Sequence, residues 1–222
     1  MTSPWTTWAK PAGRPVFPPH DRRDDPSVLA DVLRAQPARG EIGWPVGFEG
    51  GICHRLDTAT SGALLLAADP EALFDARRQF QEKRIRKRYL LWVARDPDWD
   101  ENRCDRPIAH DPRRPTRMVV QRGPATPHRG HWYDAETSFR RVAGPIFEAE
   151  MRTGVMHQIR VHAAFLGIPL QGDRHYGGGT GEFRLHHLGL IGEGGLATAA
   201  IAAPAWAAAD QPTEARGSTT RS

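Results

Sequence analysis

Short apolar runs bounded by polar or turn-forming residues predict several β-strands in this chain. The run at 63–68 contains no polar residue and is typical of a buried strand. Further strands are predicted at 88–94, 107–108, 118–120, 132–141 and 147–153, the last two separated by a Gly-Pro pair. The segment 95–127 is polar and rich in proline and arginine, which predicts an insert made largely of loops.

Three helices are predicted among these strands. Each of the first two begins with an aspartate N-cap followed by a proline in the first turn, at Asp25 and at Asp69. The third covers 156–166, where apolar residues recur at helical spacing before a glycine stop signal. His157 and Arg160 stand three residues apart, so we expect both to project from one side of this helix into a common cleft.

The length of the chain suits one folded domain. With 222 residues it can bury a substantial core, and the mixture of strand and helix patterns indicates a protein of mixed α and β structure. We expect an N-terminal extension over 1–8, a folded domain over 9–209, and a disordered tail over 210–222, which is polar and rich in Gly, Ser, Thr and Arg.

Positive charge is concentrated in two places. Lysine and arginine outnumber aspartate and glutamate by 30 to 26, and the pI is about 9.5. The run 83–88 holds five cations in six positions, and a second cluster consists of Arg113, Arg114, Arg117 and Arg122. Both clusters are candidates for gripping nucleic-acid phosphates. For the run 83–88 a solvated basic face is the alternative.

Cysteine usage and the absence of targeting patterns predict a cytoplasmic protein. The only cysteines are Cys53 and Cys104, which excludes a disulfide framework and a Cys-x-x-Cys metal site. The start of the chain has no continuous apolar core typical of a secretory signal, and the uncharged stretch 196–209 is too short to cross a membrane. No glycine-rich nucleotide fingerprint is present, and we expect no membrane association.

The segment 54–62 presents one carboxylate, Asp57, in a polar loop ahead of the buried strand. The hydroxyls of Thr58, Thr60 and Ser61 can bond to nearby backbone groups and stiffen such a loop. A rigid loop can fix the position of a nucleophile. Judged by residue types alone, the alternative is that the segment is a capped turn in which Asp57 has only a structural role.

The same segment, His-Arg-Leu-Asp-x-x-Thr-Ser-Gly, resembles the active-site signature of the RluA-like pseudouridine synthases. Further segments of this family are matched in the same order. They are Lys-Pro-Ala-Gly at 10–13, Lys-Arg-Tyr-Leu at 87–90, Gly-Val-Met-His-Gln-Ile-Arg-Val-His at 154–162, and Gly-Ile-Pro-Leu-Gln-Gly-Asp at 167–173 with Tyr-Gly at 176–177. The resemblance covers roughly residues 9–190, and a chance match of this order and extent is implausible.

The resemblance implies an α+β fold in which helices flank a mostly antiparallel mixed sheet with a central catalytic cleft. It implies that residues 9–209 form a catalytic domain that isomerises specific uridines to pseudouridine in structured RNA, either transfer RNA or ribosomal RNA. Because this reaction needs neither a redox step nor a group donor, we expect neither a cofactor nor a metal site. We expect a monomer without an obligatory protein partner.

The resemblance also implies three catalytic residues. Asp57 supplies the reacting carboxylate, which attacks the sugar or the uracil ring, or assists proton loss from the ribose. Arg160 pairs with it and keeps it ionised and oriented. Tyr89 stacks on uracil, and its hydroxyl takes part in removing the C5 proton. Leu91 departs from the alanine that usually ends the family's Lys-x-Tyr segment, a change of packing that leaves the tyrosine ring intact.

Further residues of the matched motifs are candidates for substrate binding. Arg55 is a candidate to fill the space left by an extruded base, with a buried ion pair or backbone contact as the alternative. Leu56 and Ile159 are expected to form apolar walls, and the two histidines to orient loops by hydrogen bonding. The complete set is Arg55, Leu56, His54, Thr60, His157, Ile159, Lys87 and Arg88.

Two other classes of protein fit parts of the pattern. A glycoside-cleaving hydrolase also attacks C1′, but it usually needs a second carboxylate as acid, and these motifs offer none. A noncatalytic RNA-binding protein with the same fold would be expected to have lost Asp57, Tyr89 or Arg160. All three residues are present.

Overall fold

The computed structural model describes residues 3–19 and 25–208. The strands are β1 (Trp5–Lys10), β2 (Ser61–Ala67), β3 (Arg86–Trp92), β4 (Glu101–Cys104), β5 (Ile108–His110), β6 (Met118–Val120), β7 (Arg129–Tyr133), β8 (Thr137–Ala143), β9 (Ile146–Met151) and β10 (Leu185–Ile191). The helices are α1 (Val28–Ala35), α2 (Pro70–Gln81), α3 (Gln158–Phe165) and α4 (Ala205–Ala208), with short 3-10 helices at Pro37–Glu41 and Glu49–Gly51. The predicted disordered tail, 210–222, lies outside the described residues.

The strands form two sheets. The large sheet has seven strands in the order β1-β2-β10-β3-β9-β8-β4, and every neighbouring pair is antiparallel except β2 and β10, which run parallel. This mixed, mostly antiparallel sheet with flanking helices confirms the predicted α+β class. A smaller sheet in the order β6-β5-β7 is formed by residues 108–133, hereafter the insert lobe.

Strand β2 is buried on both faces, which explains its uninterrupted apolar sequence. Leu64 and Leu66 join the main core together with residues of β3, β9 and α3. Leu65, between them, points to the other face and packs in a second core that contains Leu73 of α2. Each of these fully buried leucines stabilises the fold by about 1.5–3 kcal/mol relative to an exposed one. The loop that precedes β2 is therefore attached to one of the most rigid strands.

Of the three helix starts predicted from the sequence, one is confirmed and two are wrong. The N-cap of α2 is Asp69 as predicted, and its carboxylate accepts the N–H of Ala72 at 2.8 Å. The predicted N-cap of α1, Asp25, is wrong, because the hydroxyl of Ser27 caps that helix instead. The third helix begins two residues later than predicted, since His157 has a left-handed backbone and α3 starts after it.

Three strands are not predicted by the sequence pattern: β1, β4 and β10. Strand β10 contains His186 and His187, which are both buried, so its sequence shows neither an apolar run nor an alternation. The predicted strand at 132–141 is two strands, β7 and β8, which belong to different sheets. The predicted boundary between residues 8 and 9 falls inside β1, so residues 5–8 pair with β2 as part of the sheet.

The parallel contact between β2 and β10 requires a glycine. Gly62 has a φ of +133°, and a Cβ atom there would lie 2.3 Å from the carbonyl oxygen of His187. No side chain fits at this crossing without separating the two strands. Within residues 3–19 and 25–208, no helix is long and apolar enough to cross a membrane.

Candidate active site

The loop that carries Asp57 is held by a buried lysine at the end of β1. Lys10 donates from Nζ to the carbonyl oxygens of Thr58 and Thr60 at 2.9 and 2.6 Å, and a third bond of 3.1 Å reaches the carbonyl of Pro11. The N–H of Thr60 donates to the carbonyl of Asp57 at 3.0 Å and closes the turn. Burial lowers the pKa of Lys10 to about 8, although the charge of Asp57 opposes this shift. Lys10 therefore fixes the loop through its backbone.

Asp57 shares one guanidinium group with a second carboxylate. Arg160, on α3, donates from Nη1 to Asp57 Oδ2 at 3.2 Å. Its Nε and Nη2 donate to the two carboxylate oxygens of Asp173 at 2.7 and 2.9 Å. The Asp173 side chain is fully buried, whereas that of Asp57 is 30% exposed. Asp173 therefore aligns Arg160, and Asp57 is the partner that a bound molecule can reach.

The charge of Arg160 is secured by these two partners. Burial opposes the charge, but the hydrogen bonds and attractions to Asp173 and Asp57 outweigh it, and the pKa of the guanidinium is raised. An arginine held by a bidentate carboxylate keeps a fixed orientation as well as a fixed charge. The arrangement can therefore hold a reactive carboxylate beside a permanent cation.

His157 lies beside the same carboxylate in an unusual backbone conformation. Its φ of +56° and ψ of +18° belong to the left-handed region, which residues other than glycine adopt rarely. Its Nε2 lies 3.7 Å from Asp57 Oδ2, beyond hydrogen-bond range, and its Nδ1 lies 3.0 Å from the hydroxyl of Tyr176. Burial lowers the pKa of His157, even though Asp57 attracts its charged form. Burial therefore favours the neutral form of the imidazole.

Tyr89 lies on the buried face of β3, and its ring centre is 4.5 Å from that of His187. Among the described residues, no group forms a hydrogen bond with its hydroxyl. Burial raises the pKa of Tyr89, and the charge of Asp57 raises it further, so the phenol keeps its proton near neutral pH. The side chain offers a ring face and a hydroxyl close enough to interact electrostatically with Asp57.

Neighbouring residues of β3 point to opposite sides of the sheet. Lys87 shares the buried face with Tyr89, and its Nζ donates to the carbonyl of Thr153 at 2.5 Å, just before α3. Burial lowers the pKa of Lys87 to about 8. Arg88 faces the other side, where it forms two hydrogen bonds of 2.7 Å with Glu148. The structure therefore does not bring Arg88 to Asp57, and Lys87 contacts the segment that leads to His157.

The other candidates from the motifs occupy distinct positions. Arg55 is exposed and has no ion pair within the described ranges. Leu56 and Ile159 are buried in the same core cluster as Tyr89 and lie beneath the site. His54 accepts the N–H of Leu65 at 3.1 Å through Nε2, and burial holds its pKa well below the usual range, so it is a neutral anchor of the loop. Thr60 is buried, and its carbonyl oxygen accepts the 2.6 Å bond from Lys10.

The two basic clusters differ in how their charges are paired. In the run 83–88, Arg84 pairs with Glu82 and Glu193, and the exposed arginines of β3 pair with Glu148 and Glu150. These pairs describe a solvated, charge-balanced face. In the insert lobe, the side chains of Arg113, Arg114 and Arg122 have no ion pair with any described residue. The Arg117 guanidinium lies 5.2 Å from the centre of the Tyr176 ring.

Three residues of this arrangement carry no predicted role: Lys10, Asp173 and Tyr176. Each lies in a segment that contributes to the family resemblance, and that position is the only signal in the sequence. A lysine before proline, or an aspartate after glycine, is by residue type typical of a solvated turn. Their importance depends on hydrogen bonds to residues far away in the chain.

A family model confirms the resemblance. Residues 5–165 match the family described as RNA pseudouridylate synthase, and this range is more than half of the chain. The chain therefore belongs to the RNA pseudouridylate synthase family, and its RluA-like character is supported by named relatives.

Among these relatives, the dual-specificity RNA pseudouridine synthase RluA of Escherichia coli is 33% identical over 171 residues, which are 75% of this chain and 70% of that protein. The ribosomal large subunit pseudouridine synthase D of Nitrosomonas europaea is 36% identical over 169 residues, 76% of this chain and 46% of that protein. RNA pseudouridine synthase 2, a chloroplastic protein of Oryza sativa, is 39% identical over 136 residues, 58% of this chain and 29% of that protein. The chain thus spans less than half the length of the last two relatives.

Solved structures support the fold. The human RNA pseudouridylate synthase domain containing 4 superposes with a TM-score of 0.70 at 19% identity, covering 93% of this chain and 88% of that one. The human RNA pseudouridylate synthase domain containing 1 gives a TM-score of 0.67 at 22% identity, covering 86% and 75%. At these identities the likeness shows a shared fold.

Proposed function

We propose that this protein isomerises uridine to pseudouridine in RNA, with Asp57 as the reacting carboxylate. The observation that carries the proposal is the 3.2 Å contact between Asp57, which is partly accessible, and Arg160, which is itself held by buried Asp173. Membership of the family supports the same reaction. The reaction breaks the bond from C1′ to N1, turns the base, forms a bond from C1′ to C5, and transfers the C5 proton away while N1 gains one.

Each residue has a distinct task in this proposal. Asp57 attacks the sugar or the base, or removes a ribose proton, and Arg160 keeps it charged and aimed throughout. The ring of Tyr89 stacks on uracil while the glycosidic bond is open, which keeps the free base from leaving. Its hydroxyl holds its proton near neutral pH, so its share in removing the C5 proton is as a hydrogen-bonding group. His157 offers a neutral imidazole next to the reacting carboxylate.

The substrate is proposed to be a uridine in a loop or one extruded from a helix, because a stacked base cannot reach a carboxylate in a folded site. Extrusion costs a few kcal/mol, which contacts with the phosphates must offset. Exposed Arg55 is suited to fill the gap that the base leaves, and the unpaired arginines of the insert lobe are suited to hold the backbone. Transfer RNA and ribosomal RNA both satisfy these requirements.

The same proposal takes the two sheets as one catalytic domain that begins at Trp5, acts as a monomer without an obligatory protein partner, and works in the cytoplasm. Support for a reducing compartment comes from Cys53 and Cys104, which are free and buried. Burial raises the pKa of both thiols and keeps them unreactive.

The direct test is the release of tritium from cellular RNA labelled at uridine C5. Wild-type protein is expected to release tritium, and Asp57→Asn is expected to lose about 10²–10⁴-fold in rate, the range for a removed catalytic acid or base. Asp75→Asn, which changes a carboxylate of α2 that is 29% exposed and paired with Arg78, is the matched control. A protein that binds RNA but releases no tritium from transfer or ribosomal RNA would instead be the noncatalytic RNA-binding member of the fold.

A further inference from the structure

Tyr176 stands between the insert lobe and the reacting carboxylate. It lies in the turn after α3 that also carries Asp173, and its side chain is 9% exposed. Its hydroxyl accepts the backbone N–H of Met118, the first residue of β6, at 2.8 Å. The same hydroxyl lies 3.0 Å from His157 Nδ1. A continuous set of contacts therefore runs from β6 through Tyr176 to His157.

We propose that Tyr176 is a positioning residue that holds His157 as the tautomer with its proton on Nε2, so that this N–H faces Asp57 and the nucleotide bound there. The inference rests on the proposed function for what it says about the nucleotide. The assignment of the tautomer depends on the geometry alone.

The first argument comes from the hydrogens that are available. A backbone amide can only donate, so the Tyr176 oxygen is the acceptor in its bond with Met118. The phenol has one proton of its own, and burial, which raises the pKa of Tyr176 to about 12, keeps that proton in place. Nδ1 of His157 is the acceptor within hydrogen-bond distance of the hydroxyl. An accepting Nδ1 leaves the ring proton on Nε2.

The second argument comes from the other side of the ring. If Nδ1 carried the proton, the Nε2 lone pair would face Asp57 Oδ2 at 3.7 Å, and two acceptors would oppose each other. The Tyr176 oxygen would receive two donors while its own proton had no partner. The tautomer with the proton on Nε2 removes both conflicts and directs a donor at the carboxylate.

The charges around His157 do not overturn this assignment. Asp57 and Asp173 favour its protonated form, whereas Arg160 and the ring of His175 disfavour it. Burial is the largest of these influences, and it favours the neutral ring. The left-handed backbone of His157 further indicates that the surrounding structure holds this residue where its ring meets both partners.

The separation of 3.7 Å between Nε2 and Asp57 suggests how the donor is used. It exceeds a hydrogen bond in the free protein, so the N–H is available to a ligand atom next to the carboxylate or to Asp57 after a shift of a few tenths of an ångström. Because Met118 belongs to the insert lobe, any movement of β6 on binding RNA would be passed to His157 through one hydroxyl.

The tautomer can be measured directly by NMR on wild-type protein labelled with ¹⁵N-histidine, with the His157 signals assigned by their loss in His157→Gln. The expected pattern at pH 7 is a protonated Nε2 and an accepting Nδ1. A protonated Nδ1, or an imidazolium at pH 7, would overturn the proposal. The tautomer is measured independently of activity. If the wild-type protein makes no pseudouridine, the proposed function fails, but the NMR result still decides the tautomer.

The role is tested with Tyr176→Phe, which keeps the ring and removes the hydroxyl. Losing a donor to Nδ1 raises the pKa of His157, so the acidic limb of the pH-rate profile is expected to move to higher pH. We also expect kcat to fall about tenfold, the effect of losing one hydrogen bond to a residue that takes part in the reaction. KM should not change. Tyr133→Phe removes a phenol hydroxyl from β7 of the insert lobe and serves as the control.

A double-mutant cycle separates positioning from simple structural damage. If Tyr176 acts through His157, Tyr176→Phe should cost nothing further in a His157→Ala background. Full additivity of the two changes, or an unchanged pH profile in Tyr176→Phe, would contradict the proposal. If Tyr176→Phe fails to fold, the tautomer of the wild-type protein still decides the question.

Discussion

Arg160 meets the buried carboxylate of Asp173 through two hydrogen bonds of 2.7 and 2.9 Å, both shorter than the 3.2 Å bond that it gives to Asp57. The guanidinium is therefore oriented by a residue that a substrate cannot reach. The contact with Asp57 uses Nη1, the one guanidinium nitrogen that does not bond to Asp173. Such an order of contacts makes Asp57 the weaker partner of Arg160, which suits the role proposed for it, since a reacting carboxylate must change its bonds.

Asp173→Asn is expected to destabilise the protein and to slow the reaction. Removing one charge of a buried pair leaves the other uncompensated, at a cost of about 3 kcal/mol or more in the free energy of unfolding. The measurement is urea unfolding together with tritium release. Glu148→Gln makes the same chemical change in the bidentate pair with Arg88. Glu148 is 12% exposed, but the arginine that loses its partner is 44% exposed and stays hydrated, so the cost should be about 1 kcal/mol or less. Equal costs for the two variants would contradict the role assigned to burial.

Tyr89→Phe and Tyr89→Leu should separate the ring from the hydroxyl. Since the hydroxyl has no hydrogen-bond partner among the described residues, Tyr89→Phe is expected to change the free energy of unfolding by less than about 0.5 kcal/mol. It should retain binding of RNA and lose part of kcat. Tyr89→Leu removes the stacking surface and should lose more of kcat. A Leu variant as active as the Phe variant would show that stacking is not required.

Lys87 predicts a specific dependence of stability on pH. Its pKa is about 8 in the folded protein and near 10.5 when unfolded, so between these values the unfolded chain binds more protons. Stability from this group therefore rises as pH increases from about 8 to 10.5, by at most about 3 kcal/mol. Urea unfolding of wild type and Lys87→Met at several pH values measures the difference. The free energy of unfolding of Lys87→Met should change less with pH than that of the wild type. Equal pH dependence of the two proteins would show that burial does not lower the pKa of Lys87.

The insert lobe should dominate the salt dependence of RNA binding. Replacing Arg113, Arg114 and Arg122 with glutamine is expected to weaken binding and to reduce the slope of log K against log salt by about 0.7 for each phosphate that is no longer neutralised. The control is the double change Arg86→Gln and Arg88→Gln, because these side chains are already paired with Glu150 and Glu148. A larger decrease of the slope in the control would assign phosphate binding to the face of β3.

Much of the fold follows from local pattern. Strand β2 is predictable because burial on both faces leaves only apolar residues, and α2 because aspartate and proline are suited to the first turn of a helix. Strand β10 is not, because its two buried histidines are stabilised by partners far away in sequence. His187 bonds to the carbonyl of Ala63 at 2.6 Å, and His186 to the hydroxyl of Ser61 at 2.9 Å. When a buried polar group finds its hydrogen-bond partner far away in the chain, the local sequence shows no periodic pattern of apolar residues.

At the site, too, some contacts follow from the sequence motifs and others are evident only in the structure. The matched motifs predict that Asp57 and Arg160 meet, and they lie 3.2 Å apart. The motifs also group Arg88 with Tyr89, although adjacent strand residues point to opposite faces and only Tyr89 faces the site. The expectation that the matched motifs offer no second carboxylate is wrong, because Asp173 lies in one of them. The structure shows what this carboxylate does: both of its oxygens bond to Arg160, so it orients that arginine.

The absence of a side chain at Gly62 has a consequence for the distance between the two halves of the reaction centre. Strand β10 is the spacer between β2, which follows Asp57, and β3, which carries Tyr89. A methyl group at position 62 would wedge β2 away from β10 and would move Asp57 away from Tyr89, between which the proposed reaction places the uracil ring. One hydrogen atom in the middle of the sheet thus helps to set the distance between two side chains that belong to other parts of the chain.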